Sequence, residues 1–146
     1  VDPDTVTRLR RVIGRLARLL NDSSSSEDLS PTQASVLASV ASRGPIGAAE
    51  LAAIEGLNPT MLSRIVSKLD GAGLLRRFPN PTDLRAVNIE ITDTGREVCR
   101  RIVEHRTQTV AKILESLPSH HTEALLTALP ALEALADGLR TPPARS

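Results

Sequence analysis

Residues 58–85 read NPTMLSRIVSKLDGAGLLRRFPNPTDLR, and the fold turns on how this stretch is read. Asn58 is a good N-cap, and Pro59 suits the first helical position, where a missing N–H costs nothing. Leu62, Ile65, Val66 and Leu69 follow at i, i+3, i+4 and i+7, so one stripe of the predicted helix is buried. Thr60, Ser63, Arg64, Ser67 and Lys68 occupy the other side. All five can hydrogen-bond to bases or phosphates, and none is large and apolar. Gly71 and Gly73 end the helix. Leu74 to Phe78 then predicts a strand, Pro79 to Leu84 a loop, and Val87 to Ile91 a returning strand.

Upstream, Ser30-Pro31-Thr32-Gln33 predicts a helix start: Ser30 caps, Pro31 takes the first position, and Gln33 closes a capping box. Ala34, Val36, Leu37 and Val40 carry that helix to about Ser42. Arg43-Gly44-Pro45 breaks it, and Ile46 is placed to add a short strand. Ala48 to Ile54 predicts a third helix. The spacing of Ala52, Gly56, Leu62 and Ile65 fits a helix-turn-helix: a small residue at the crossing, a turn residue that tolerates positive φ, and two apolar residues that lock the second helix on the first. Asp4 to Leu20 predicts an amphipathic first helix, with Leu9, Val12, Ile13, Leu16, Leu19 and Leu20 opposite Arg8, Arg11, Arg15 and Arg18. Asn21 to Asp28 reads as a mobile loop. Beyond the hairpin, Thr92 can cap a long helix to about Ser116. A last helix runs from past Pro118 to about Leu135, kinked at Pro130 and stopped at Gly138. A polar helix face joined to a basic hairpin is what a winged helix-turn-helix presents to duplex DNA. The expected architecture is mainly α, with a small antiparallel β wing. Residues 1–28 form a dimerisation helix and loop, 29–91 the winged helix-turn-helix, 92–139 further dimerisation helices, and 140–146 a disordered tail. In isolation the apolar faces of the first and last helices would be exposed, which motivates a homodimer.

A chain of 146 residues suits one domain, or one domain with a helical extension. The net charge of +1 gives no bulk signal for nucleic acid, so local placement has to supply it. One cysteine, Cys99, precludes an intrachain disulfide and fits a reducing cytosol. No leader-like or membrane-spanning apolar run is seen, so neither secretion nor a membrane partner is indicated. Phe78 is the sole aromatic residue among Phe, Trp and Tyr, which counts against modules that stack single-stranded bases.

The run from Asn58 to Arg77 resembles the recognition helix and first wing strand of MarR-type transcription regulators. Asp83-Leu84-Arg85-Ala86 is similar to their wing signature, Ile91-Thr92-Asp93-Thr94-Gly95 to their step into the fifth helix, and Leu29 to Leu37 to the opening of their second. The resemblance covers residues 29–95 well and the flanking helices in layout only. It implies a homodimer straddling a palindromic operator, with repression relieved by a small-molecule effector. Two departures stand out: Leu84 occupies a position where many members carry a second arginine, and the first helix has no aromatic residue.

Within this frame Arg64 is placed to reach guanine O6 and N7 with paired hydrogen bonds, which discriminate bases by about 1–3 kcal/mol. Lys68, a turn later, suits phosphate. Thr60 and Ser63 are short enough to let the helix sit deep, and Ser67 joins them on the DNA-binding face. Met61 could touch a thymine methyl or simply pack. Arg85 is the expected minor-groove residue of the wing, with Asp83 orienting its guanidinium. Arg76 and Arg77 point to opposite strand faces. Arg77 is expected to meet DNA and Arg76 to pair within the protein.

The arginine row of the first helix could flank phosphates, pair with acids of a partner subunit, or bind an anion. A solvated or salt-bridged face is the simplest account. Cys99 is either a buried structural thiol or, with Arg96, Arg100 and Arg101 close in sequence, a thiol of lowered pKa. His105, His120 and His121 lack metal-site spacing. No cofactor is implied, and no nucleophile–base pattern or phosphate-cradling loop suggests an enzyme. The alternative to a DNA-binding regulator is a winged-helix protein-interaction module. Such a face would carry apolar anchors where Arg64 and Arg85 stand.

Overall fold

The computed structural model describes residues 1–22 and 28–140. The greater part of the expected loop before Asp28, and the tail beyond Arg140, lie outside the described residues. The elements are α1 (Pro3–Asp22), α2 (Pro31–Arg43), β1 (Ile46–Gly47), α3 (Ala48–Glu55), α4 (Pro59–Gly71), β2 (Leu75–Pro79), β3 (Val87–Ile91), α5 (Asp93–Ser116) and α6 (Ser119–Arg140). Two compact units divide the chain, Val1–Arg106 and Thr107–Ser146.

The first unit holds the winged helix. Ser30 Oγ accepts the Gln33 N–H at 3.1 Å while Gln33 Oε1 accepts the Ser30 N–H at 3.0 Å, so the capping box forms in full. Gly56 ends α3 in the left-handed region at φ 64°, and the Leu57 N–H returns to Ala52 O at 3.0 Å. That turn sets α4 against α3 with Ala52 and Leu62 both buried and Ile65 half-buried. Gly73, at φ 78°, reverses the chain after α4, and the Leu74 N–H closes on Leu69 O at 2.9 Å.

The sheet is antiparallel in the order β1-β3-β2. Ile46 stands opposite Ile89, and Leu75 opposite Ile91, so the inward residues of the wing's base meet the helices. Val36, Leu37 and Val40 of α2, Leu51 of α3, Leu62, Val66 and Leu69 of α4, and Leu75 and Ile89 of the sheet form the core, joined by Val98 and Ile102 of α5. Each such side chain contributes about 1.5–3 kcal/mol on burial.

The hydrogen bonds of Thr92 and one glycine seat the start of α5. The Thr92 N–H reaches Leu74 O at 3.1 Å, the Thr92 hydroxyl donates to Gly73 O at 2.6 Å, and its oxygen accepts the Gly95 N–H at 3.0 Å. A Cβ at Gly95 would stand 2.2 Å from Leu74 O, so only glycine fits there. The Ile-Thr-x-x-Gly run is thus a docking device between α5 and the corner linking α4 to β2.

α1 carries its apolar residues on the surface. Leu9, Val12, Leu16 and Leu19 are all about half exposed, at 47–56%. Among the described residues, none of Arg8, Arg11, Arg15 and Arg18 joins an ion pair.

The second unit contains α6, in which no residue is buried although Leu125, Leu126, Leu129, Leu132 and Leu135 recur along it. Thr122 donates its hydroxyl to Leu114 O at 2.9 Å.

Several boundaries differ from expectation. α1 runs on to Asp22 and takes in the first two residues of the expected loop. β2 starts at Leu75 rather than Leu74, because Leu74 belongs to the turn, and it extends to Pro79, which pairs with Val87 in an edge strand where its missing N–H costs no ladder bond. α6 does not stop at Gly138. Gly138 adopts no left-handed conformation, and the Arg140–Asp137 ion pair at 3.1 Å spans it with helical i, i+3 spacing. Pro130 lies inside α6, and the helix is assigned on both sides of it.

Candidate nucleic-acid interface

α4 is built to show one face. Asn58 Oδ1 accepts the Met61 N–H at 2.8 Å, and Pro59 opens the first turn. Burial of Leu62, Val66 and Leu69 fixes the helix's rotation. Thr60, Ser63, Arg64, Ser67 and Lys68 are exposed as a result, and Met61 is half exposed rather than packed in the core. Among the described residues, Arg64 and Lys68 take part in no ion pair. Both cations therefore stand open on one helix face.

The wing is tied down by one asparagine. Asn80 Oδ1 accepts the Thr82 N–H at 2.9 Å, the Thr82 hydroxyl at 2.8 Å and the Asp83 N–H at 3.2 Å. The Asn80 N–H donates to Ala86 O, and the Ala86 N–H to Asp83 O, each at 3.0 Å. This loop projects Leu84, which is 81% exposed, and Arg85. Asp83 acts differently from expectation. Its Oδ1 accepts the backbone N–H of Arg85 at 3.1 Å, as an Asx turn does, and not the guanidinium. The carboxylate is two residues away, within reach of the main chain, while the arginine side chain points outward. Sequence reasoning missed Asn80, although an Asn ahead of a Pro-Thr-Asp run is a turn signal of known mechanism.

The paired arginines of β2 separate by strand alternation. Arg76 pairs across the ladder with Glu90, its register partner, Nε lying 2.7 Å from Oε1. Arg77 turns to α4: Nε donates to Asp70 Oδ2 and Nη1 to Ser67 Oγ, both at 3.1 Å. A cavity of about 240 Å³ lies between α3, α4 and the sheet, with Ala52, Leu62, Val66 and Ile89 on its walls and Ser63 and Arg77 as its polar members. Asp70 was not singled out from the sequence. A carboxylate in the last turn of a helix, where the dipole disfavours it, is the signal that could have found it.

Behind this face, Glu55 at the end of α3 receives the hydroxyls of Ser35, at 2.8 Å, and Ser39, both from α2. An open groove is lined by Ala41 of α2 and by Arg96, Cys99, Arg100, Val103 and Glu104 of α5. Cys99 is half-buried there, and burial pushes its thiol pKa up, with Arg96 opposing. Of the two readings of Cys99, this favours the structural thiol over the thiol of lowered pKa. Arg100 is committed to Glu97 and Glu104, at 2.6 and 3.0 Å, and desolvation outweighs what Arg96 supplies. The rings of His120 and His121 lie 4.2 Å apart. Among the described residues no group of three or more His, Cys, Asp or Glu could hold a metal, and no helix is long and apolar enough to cross a membrane.

Comparison with known proteins places this geometry. Residues 29–87 match the profile described as MarR family. The transcriptional regulator PecS of Dickeya dadantii is 33% identical over 138 residues, covering 85% of this chain and 82% of PecS. The chain belongs to the MarR family. Its fold is shared with the crystal structure of RV1404 from Mycobacterium tuberculosis, at 30% identity and a TM-score of 0.77, with 99% of each chain covered. A mutant MarR from E. coli complexed with operator DNA is similar at 25% identity and a TM-score of 0.61, covering 90% of this chain and 99% of that one. As a MarR family protein the chain is a helix-turn-helix transcriptional regulator, and its relatives are regulators rather than enzymes.

Proposed function

We propose that this MarR family protein binds a palindromic DNA operator as a homodimer, inserting α4 into the major groove and the wing-tip Arg85 into the adjacent minor groove. The observation that carries this reading is the pairing of two unpaired cations, Arg64 and Lys68, on the exposed face of α4 with a wing held rigid by Asn80. Arg64 reads a guanine. Lys68 and Arg77 contact phosphate, while Thr60, Ser63 and Ser67 complete the close face. Asp83 holds the backbone at Arg85.

The exposed leucines of α1 and α6 support dimerisation through residues 1–28 and 92–139. Leaving both stripes in water would forfeit about 25 cal/mol for each Å² of apolar surface. Two recognition helices then engage half-sites about 34–36 Å apart. The similar MarR crystallised in complex with operator DNA supports duplex DNA as the partner.

The regulator acts as a repressor, and a small molecule releases it by favouring a spacing of the two helices that DNA does not accept. The α2–α5 groove and the cavity beside Arg77 supply candidate space for that ligand. Titration against duplex DNA at two salt concentrations tests the reading. Specific binding that weakens as salt rises is expected, through counterion release. Absence of duplex binding at low salt would refute it.

A further inference from the structure

We propose that Asp70 is a positioning residue that holds Arg77 against α4 and so restrains the sequence-independent pull of the wing on phosphate. The inference rests on the reading above, that α4 and the wing face DNA. Ser63, Ser67 and Asp70 follow at i, i+4 and i+7, forming one stripe of α4. Arg77 lies along that stripe. It gives Nε–H to Asp70 and one Nη1–H to Ser67, and with Ser63 it lines the cavity beside the helix.

A guanidinium carries five donors, so those on Nη2 remain available once these two are used. The Arg77 side chain is 42% exposed and Asp70 36% exposed, so the pair sits at the surface where phosphate would arrive.

Asp70 is costly in two ways. It lies in the last turn of α4, at the negative end of the helix dipole, and it adds a negative charge to a face that would meet polyanion. The gain is directional. With Nε anchored, Arg77 can offer only its remaining edge to phosphate, in one orientation beside α4. Its charge is partly offset by the neighbouring carboxylate. Binding to arbitrary duplex is weakened more than binding to the operator, so selectivity rises.

The experiment uses the full chain, a random-sequence duplex and a selected operator duplex, with affinities measured over a series of salt concentrations. Four proteins are compared: wild type, Asp70→Asn, Arg77→Gln and the double variant. Asp70→Asn keeps an oxygen for Nε and removes the charge. It should bind random duplex about threefold to fivefold more tightly at low salt, steepen the salt dependence by about one ion, and narrow the gap to the operator. In the Arg77→Gln background the same change should give a clearly smaller gain, the part that comes from Asp70's own repulsion of DNA, because the rest depends on the pair.

Unchanged random-duplex affinity and salt slope in Asp70→Asn would overturn the proposal. So would an equal gain in the presence and absence of Arg77. If wild type itself shows no salt-dependent duplex binding, the DNA-facing reading fails and the proposal falls with it. If wild type binds but Asp70→Asn is silent, only the role of Asp70 fails.

Discussion

Gly95 lies so close to the carbonyl of Leu74 that a Cβ on it would stand 2.2 Å from the oxygen and 2.7 Å from Ile91 Cγ1. The contact joins the first turn of α5 to the end of the helix-turn-helix, beside the Thr92 hydrogen bonds. Gly95→Ala forces the backbone apart at a site with no flexible side chain to yield. A loss of about 1–3 kcal/mol is expected, read as a lower denaturant midpoint at unchanged m-value. A variant as stable as wild type would show that α5 docks elsewhere.

Arg64→Ala should remove preference at one base position per half-site while leaving stability unchanged, since Arg64 is exposed and pairs with no described residue. Competition between operator variants should show a loss of about 1–3 kcal/mol of discrimination at that position. Undiminished preference would assign the reading to another side chain.

Arg85→Ala should weaken binding to all sequences and shallow the salt dependence by about one ion, with the largest effect where A·T pairs narrow the minor groove. Asn80→Ala should mimic it in part. The arginine remains, but the three hydrogen bonds received by Asn80 Oδ1 are lost and the tip is no longer preorganised. Equal affinity in both variants would remove the wing from the interface.

Much of this is legible in the sequence. The Ser30 capping box, the Gly56 turn and the buried stripe of α4 follow from local chemistry that acts within a few residues, and all three stand where the spacing puts them. What sequence could not supply depends on contacts between elements. The Arg77–Asp70 pair spans the turn from α4 to β2. Both the main chain and the guanidinium of Arg85 lie within two residues of Asp83, and only the rotamer, which selects the Arg85 N–H, decides between them. The end of α6 is not legible because a glycine stops a helix only where the chain turns left-handed, which Gly138 does not.

If α1 carries the proposed dimer interface, Leu16→Asp should yield a monomer without unfolding the winged helix. Leu16 is 50% exposed and contributes nothing to the core. Light scattering at micromolar concentration would report the mass, and circular dichroism the retained helix. An unaltered dimer would place the interface off α1.

Cys99 titrates with a raised pKa in the folded chain. The native state then holds its proton where the unfolded thiol, near pH 8.5, has begun to lose it. Stability should fall as pH rises above about 8.5. Cys99→Ser should flatten that decline in urea melts between about pH 8 and 10. Alkylation of wild type at pH 8 should be slower than that of an unstructured cysteine. Fast alkylation would mean that the thiol is activated.

The most direct test is selection of bound duplexes from random DNA with wild type and Arg64→Ala in parallel. Wild type should recover a twofold-symmetric sequence with half-site centres about one helical turn apart, bound by two chains, and Arg64→Ala should lose one base pair of information in each half. Recovery of sequences without dyad symmetry, or the same sequence with both proteins, would contradict the account.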